Sequence, residues 1–310
     1  MSNYSIGVDV GGSHLSCAAV DMEKQVFLEN SFSSIAVDNK ASADEILSGW
    51  ASVLLHTIRK INSGTLAGIG FGMPGPFEYD KGIAHFEHNE KYYNLNGVNV
   101  ASVLLKKLNF ASPVPLRFMN DASAFAVGEA LKGSASHVAN SVSITLGTGF
   151  GSAFISKGIP VVDGDLVPPL GCVWHLPYKD GIADDYFSTR WFLKRYKEET
   201  GLEVDGVKTI AEAAVSNEIA TSLFFEYGNN MGDFFSPWLK KFDAGVLVIG
   251  GNIAGAYNLF GPAFEMALRM NGVNTEIKLS ALKEDAAIIG SARMLDPDYW
   301  EKIRPILGKM

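Results

Sequence analysis

Cysteine is nearly missing from this chain: 310 residues contain only Cys17 and Cys172. They form no metal-type pair, and a reducing cytoplasm is the simple expectation. Long apolar runs are missing too. None approaches the roughly twenty residues of a membrane span, and Met1 to Val10 lacks a basic region followed by an apolar one, so no secretory signal is expected. Basic charge is in deficit, 26 Lys and Arg against 34 Asp and Glu, a net −8. That argues against nucleic acid as the main partner, but not against a small phosphorylated ligand, which answers to local dipoles. The lysine-bearing nucleotide loop G-x-x-x-x-G-K-S/T is absent. Gly147, Gly149 and Gly151 follow G-x-G-x-G rather than G-x-G-x-x-G and run on into a strand-like stretch, which excludes the dinucleotide fold.

What is present is globular: 47% hydrophobic and 19% charged residues, with room for two α/β domains. Residues 4–21 read as strand, glycine turn (Gly11, Gly12, Ser13) and strand. Ile46, Trp50, Val53, Leu54 and Ile58 mark an amphipathic helix within 42–62. A buried strand over 66–72 ends in Met73-Pro74-Gly75-Pro76, which is turn chemistry. Residues 77–97 form a long loop, and Val98 to Leu108 a helix. Residues 142–155 echo the first hairpin in outline, with Gly147, Thr148 and Gly149 at the turn, which suggests a duplicated architecture. The pattern from 187 to about 241 is mostly helical. A third apolar strand, 245–249, runs into Gly250-Gly251-Asn252.

The chain is organised around Pro115 to Glu129. An apolar run meets Asn120-Asp121 and continues as Ala122, Phe125, Ala126 and Glu129 at helical spacing. Asn120 is therefore a helix N-cap and Asp121 a first-turn acid at a strand-to-helix junction. Capping alone would explain the pair; its company does not. Three glycine turns, near 11, 149 and 251, each end an apolar strand, and such turns let backbone N–H groups approach an oligophosphate.

Taken in order, Asp9-Val10-Gly11-Gly12-Ser13, Gly72-Met73-Pro74-Gly75, Asn94-Leu95, Asn120-Asp121-Ala122, Leu146-Gly147-Thr148-Gly149 and Gly250-Gly251 resemble the ROK sugar kinases. The resemblance runs from about residue 4 to about residue 295. It implies two related actin-like (ribonuclease H-like) α/β domains around a central cleft, divided as 1–115 and 116–292, with the last helix, about 293–310, packed back on the first. It also implies an ATP-dependent hexose kinase, with glucose the leading substrate and the 6-hydroxyl the acceptor. Asp121 would be the general base and Asn120 would bind a neighbouring hydroxyl. Gly72, Pro74, Gly75, Asn94, His175 and Asp184 would complete the sugar site. Asp9 would hold Mg²⁺ through water. Gly11, Gly12 and Ser13 would line one side of the phosphates, Gly147, Thr148 and Gly149 the other, and Gly250, Gly251 and Asn252 the adenosine. The family also implies a homodimer.

The sequence departs from the family in one stretch. Many members carry Gly-Glu-x-Gly-His followed by a cysteine cluster that binds zinc. Here the segment is Gly171-Cys172-Val173-Trp174-His175, and one His with one Cys cannot close a tetrahedral site, so no structural zinc is expected. Cys172 stands where the family places a sugar-binding Glu. Asp184 aligns with a second such Glu, and Asp163 and Asp165 are the alternatives. The rival readings are a polyphosphate-dependent glucokinase and a non-catalytic sugar or nucleotide sensor. A repressor is not expected, because the first hairpin begins by residue 6 and leaves no DNA-binding domain ahead of it. His85 and His88 are read as loop residues, Cys17 as strand packing, and Trp191, Phe192 and Tyr196 as helix packing.

Overall fold

A computed structural model describes residues 2–87 and 91–310; His88 lies outside the described residues. The chain divides into two units, Met1–Gly133 with Glu284–Met310, and Ser134–Lys283.

In the first unit, the hairpin read from residues 4–21 is β1 (Ser2–Val10) and β2 (His14–Asp21), antiparallel with Val10 opposite Leu15. β3 (Val26–Phe27) and β4 (Ser33–Ala36) add to β2, while β5 (Gly64–Met73) runs parallel to β1. A small hairpin, β6 (Phe77–Glu78) with β7 (Ile83–Ala84), occupies part of the stretch read as loop. β8 (Leu116–Asn120) runs parallel to β5 at the other edge, giving the order β3-β2-β1-β5-β8. α1 (Ala43–Ile58) begins with a reciprocal cap between Ser42 and Glu45 and buries Ile46, Trp50, Val53 and Leu54, the face its periodicity predicted. α2 (Val100–Leu108) is capped by Asn99.

α3 (Asp121–Leu131) is buried almost all round, which a helix achieves only between layers.

The second unit repeats the plan. β9 (Asn140–Leu146) and β10 (Phe150–Ser156) form the second glycine hairpin, β11 (Ile159–Pro160) extends it, and β14 (Val246–Gly250) and β15 (Glu276–Leu279) run parallel to β9. The order β11-β10-β9-β14-β15 matches the path β3-β2-β1-β5-β8 of the first sheet, which carries β4 in addition. The duplication legible as a faint echo in sequence is thus a duplication of topology, and both units have the actin-like α/β plan. A two-stranded ribbon, β12 (Pro177–Tyr178) with β13 (Gly181–Ile182), leads into α4 (Ala183–Phe187). Then come α5 (Thr189–Thr200), α6 (Val207–Ala213), α7 (Glu218–Phe242) and α8 (Tyr257–Met270). Trp191, Phe192 and Tyr196 are buried in this unit's core, with the Phe192 and Tyr227 rings 4.7 Å apart. They pack in the core, as their helical spacing predicted.

The chain then returns to the first unit as α9 (Asp285–Arg293), which lies against α3, β1 and β5, and α10 (Pro297–Ile303). A Cβ on Gly290 would collide with the Ala124 carbonyl of α3, and one on Gly128 with the Ala286 carbonyl of α9. The two helices touch backbone to backbone. Arg117 on β8 stacks over Trp300 of α10 at 4.1 Å and donates to the Met294 carbonyl. These contacts correct the expected boundaries. The first unit runs to Gly133 rather than 115, because β8 completes its sheet and α3 is enclosed by α9. The returning segment starts at Glu284, not near 293.

Candidate active site

In the first unit the expected residues gather at the ends of β1, β5 and β8. Asn120 ends β8 and caps α3, its Oδ1 accepting from Ser123 N at 3.1 Å. Its Nδ2 donates to Asp121 Oδ1 at 3.0 Å and to Tyr79 Oη at 3.3 Å. Tyr79 in turn donates to the Met73 carbonyl at 3.3 Å, so one hydroxyl joins the Pro74-Gly75 turn to the Asn120-Asp121 pair. Gly72 allows that approach: a Cβ there would stand 3.1 Å from Ala124 Cβ and 3.5 Å from Asp121 Cα. Asp121 Oδ1 also accepts from Ala122 N at 2.8 Å.

Burial raises the Asp121 pKa above the carboxylate range. Its hydrogen bonds to Ala122 N and Asn120, and the Lys91 ammonium, pull it back only in part. Asp9, at the end of β1, is pushed up to about 7, first by desolvation and then by repulsion from Asp121 and Glu284. An acid raised by burial and by like charges favours a neighbouring cation or a proton.

The Gly11-Gly12-Ser13 turn closes on its own Gly11 N to His14 O bond of 2.9 Å. Tyr92 Oη donates to the Gly11 carbonyl at 2.7 Å, and Asn39 donates to that of Gly12. A Cβ on Gly12 would stand 2.7 Å from Lys91 Nζ, so the glycine makes room for an ammonium at the turn. Asn94 is engaged elsewhere, its Nδ2 donating to the Lys40 and Ala41 carbonyls at 3.0 and 2.9 Å. His85 pairs with Glu78 at 2.8 Å on an exposed loop. Cys17 Sγ lies buried 3.2 Å from Thr57 Oγ1.

In the second unit, Gly147 N donates to Gly149 O at 3.1 Å to shape the hairpin tip, where Thr148 and Gly149 are exposed. Gly251, at φ +83°, packs against the backbone of Leu146; a Cβ would sit 2.6 Å from Leu146 N. That brings Gly250 and Gly251 beside the hairpin, with Asn252 exposed next to them. The Asp184 carboxylate, expected at the sugar site, is engaged within this unit. Its Oδ1 accepts from Phe150 N at 2.7 Å and its Oδ2 pairs with Arg190. Cys172 Sγ stands 3.8 Å from His175 Nδ1, on a loop fixed by Val173 N to Ser152 Oγ at 2.9 Å and by Asp184 N to Trp174 O at 2.9 Å. Burial raises the Cys172 thiol to about 11 and lowers His175. Asp163 and Asp165 lie exposed beyond β11.

With these two clusters in place, the family comparison decides the kinship: the ROK family matches residues 5–297. The chain belongs to the ROK family. Among its relatives, a glucokinase of Thermotoga maritima is 24% identical over 94% of this chain and 96% of its own. A xylose repressor of Caldicellulosiruptor bescii is 22% identical over 94% of this chain and 78% of its own. Among solved structures, a ROK family glucokinase from Streptomyces griseus, in complex with glucose and AMPPNP, matches with a TM-score of 0.74 at 20% identity, over 94% of this chain and 98% of that one. The family therefore contains both kinases and repressors, and the residues must speak for this member.

For the Mg²⁺ that the family resemblance implies, the donor set fits. No group of three His, Cys, Asp or Glu among the described residues could form a protein cage. Mg²⁺ rarely needs one, since it keeps several waters and takes one or two carboxylates with substrate phosphates. Asp9, raised first by burial and then by its acidic neighbours, would be such a carboxylate. Reading the sequence missed Lys91, Glu284, Tyr79 and Arg190 in this ROK chain. Lys91 and Tyr79 sat in a stretch without period, and Arg190 in a helix read only for packing.

Proposed function

We propose that this ROK protein is an ATP-dependent sugar kinase that phosphorylates the 6-hydroxyl of a hexose, with glucose the leading substrate. The observation that carries the proposal is Asp121: a carboxylate raised by burial, aimed by Asn120 and Ala122 N, at the junction of β8 and α3 beside Asp9. Such a group suits a general base, whose best pKa lies towards the working pH. The name of the glucokinase relative supports a hexose, and the AMPPNP complex supports ATP.

In this reading Asp121 Oδ2 takes the 6-hydroxyl proton as the sugar oxygen bonds to the γ-phosphorus and the bond to the ADP oxygen breaks. Asn120 holds the base in place, and its Oδ1, which keeps a lone pair beyond the Ser123 cap, accepts from a neighbouring hydroxyl. Gly11, Gly12 and Ser13 supply the turn for the phosphates, with Lys91 beside it. Asp9 would hold Mg²⁺, which when bound neutralises phosphate charge. The rival reading, a sugar or nucleotide sensor, draws on Cys172 and on the repressor relative.

The test is ADP release with ATP and Mg²⁺ across a hexose panel, for wild type and Asp121→Asn. Sugar-dependent release that collapses in the variant is the expected result. Release with polyphosphate alone would change the donor, and sugar binding by calorimetry without any turnover would establish the sensor.

A further inference from the structure

We propose that Arg190 is the phosphate-binding cation of the β9–β10 hairpin, a role that rests on the kinase reading and assigns that site its positive charge in the second unit. The hairpin tip alone offers backbone dipoles and the exposed Thr148 hydroxyl, but no charge. Arg190, one residue into α5, donates from Nη1 to the Thr148 carbonyl at 3.1 Å and pairs through Nη2 with Asp184 Oδ2. Asp184 Oδ1 meanwhile accepts from Phe150 N, just past the turn. Thr189, the neighbour of Arg190, gives both its N–H and its hydroxyl to the Gly147 carbonyl, at 2.8 and 2.9 Å. Hairpin, carboxylate and guanidinium thus share one frame, tied at Gly147, Thr148 and Phe150.

Exposure sets the direction. The Asp184 side chain is only 20% exposed, while that of Arg190 is 55% exposed. Two of the five guanidinium N–H groups are used inward, which leaves an outer edge of donors at the tip. A planar fork of this kind matches phosphate oxygens two at a time, which a flexible ammonium does not. Held by Asp184, it loses little freedom when a ligand arrives. The chemistry recognised is an oligophosphate chain, the part of the donor common to ATP and polyphosphate.

The test is calorimetric titration of wild type, Arg190→Gln and Arg190→Lys with ADP, inorganic tripolyphosphate and adenosine, alongside thermal melts. Loss of a charge-assisted contact predicts ADP and tripolyphosphate weakened about 10- to 100-fold in Arg190→Gln, with adenosine and the KM for sugar unchanged. Arg190→Lys should fall between, keeping the charge and losing the fork. Equal weakening of ADP and adenosine would mean that Arg190 only props the hairpin, and unchanged ADP affinity would exclude it from the site; either overturns the proposal. If Arg190→Gln melts early, Arg190→Lys decides on the same ratio. Wild-type protein that turns over sugar with either variant unaffected would sink Arg190 alone. Wild type that binds neither ADP nor tripolyphosphate would sink the kinase reading and this one with it.

Discussion

Asn120 Nδ2 donates to Asp121 Oδ1 at 3.0 Å while Asn120 Oδ1 caps the helix that Asp121 begins. The capping residue therefore also aims the acid. Capping and orientation of the neighbouring carboxylate are one arrangement.

Replacing Asp121 by Asn should lower kcat by about 10²–10⁴-fold, the usual worth of a positioned base, with a far smaller change in the KM for sugar. Because burial raises Asp121, the acid limb of kcat/KM should lie above the ordinary carboxylate range, activity falling as pH drops through it. The same substitution removes a negative neighbour from Asp9, whose titration, followed by carboxyl NMR, should move down from about 7.

Asp9→Asn should stabilise the ligand-free protein at neutral pH while harming turnover. The folded-state pKa of Asp9, about 7, stands above its ordinary value of 3.8, so the native state binds the extra proton between them. Wild-type stability should fall as pH rises through that window and level off above it. Thermal melts of the two proteins should coincide near pH 4, diverge towards pH 7 with the variant higher, and stay apart by a constant gap at pH 8. A wild-type melt that rises over the same window would contradict the assignment.

Gly290→Ala should cost about 3 kcal/mol or more, because the new methyl meets the Ala124 backbone and neither helix can yield alone. Gly308→Ala, where nothing stands within 4 Å of the added carbon, should change stability by less than about 0.5 kcal/mol. Urea titrations of both variants make the comparison.

Asp184→Ala separates two roles for one carboxylate. Its bonds to Phe150 N and Arg190 predict a raised KM for ATP with the KM for sugar nearly unchanged. The sugar contact implied by family resemblance predicts the reverse. Steady-state kinetics with each substrate varied in turn decides between them.

Much of the candidate site was legible because its signals are local. A cap and a first-turn acid are adjacent residues, so Asn120 and Asp121 could be read together. A glycine turn between two apolar runs is a matter of a dozen residues, so the turns at 11–13 and 147–149 stood out. Partners from distant segments were not legible. Tyr79 reaches Asn120 from an aperiodic stretch, and Lys91 affects Asp121 from another part of it. Asn94, expected at the sugar site, donates its amide hydrogens to the Lys40 and Ala41 carbonyls, partners from a segment that spacing could not point to.

The sequence by itself determined the elements and their repetition: strand, glycine hairpin, strand, twice over, with a helix opening at Asp121. Side-chain period and backbone permissiveness act within a few residues, and a linear reading captures them. Only the tertiary structure decided where the units divide, since α3 belongs with a helix that arrives some 150 residues later, and their bare backbone contact leaves no periodic trace. It also decided the surroundings of the acids. Whether a carboxylate is a base, a metal ligand or a strut depends on burial and on the charges around it. Those are set by Glu284, Lys91 and Arg190, residues whose nearness to Asp9, Asp121 and Asp184 only folding creates.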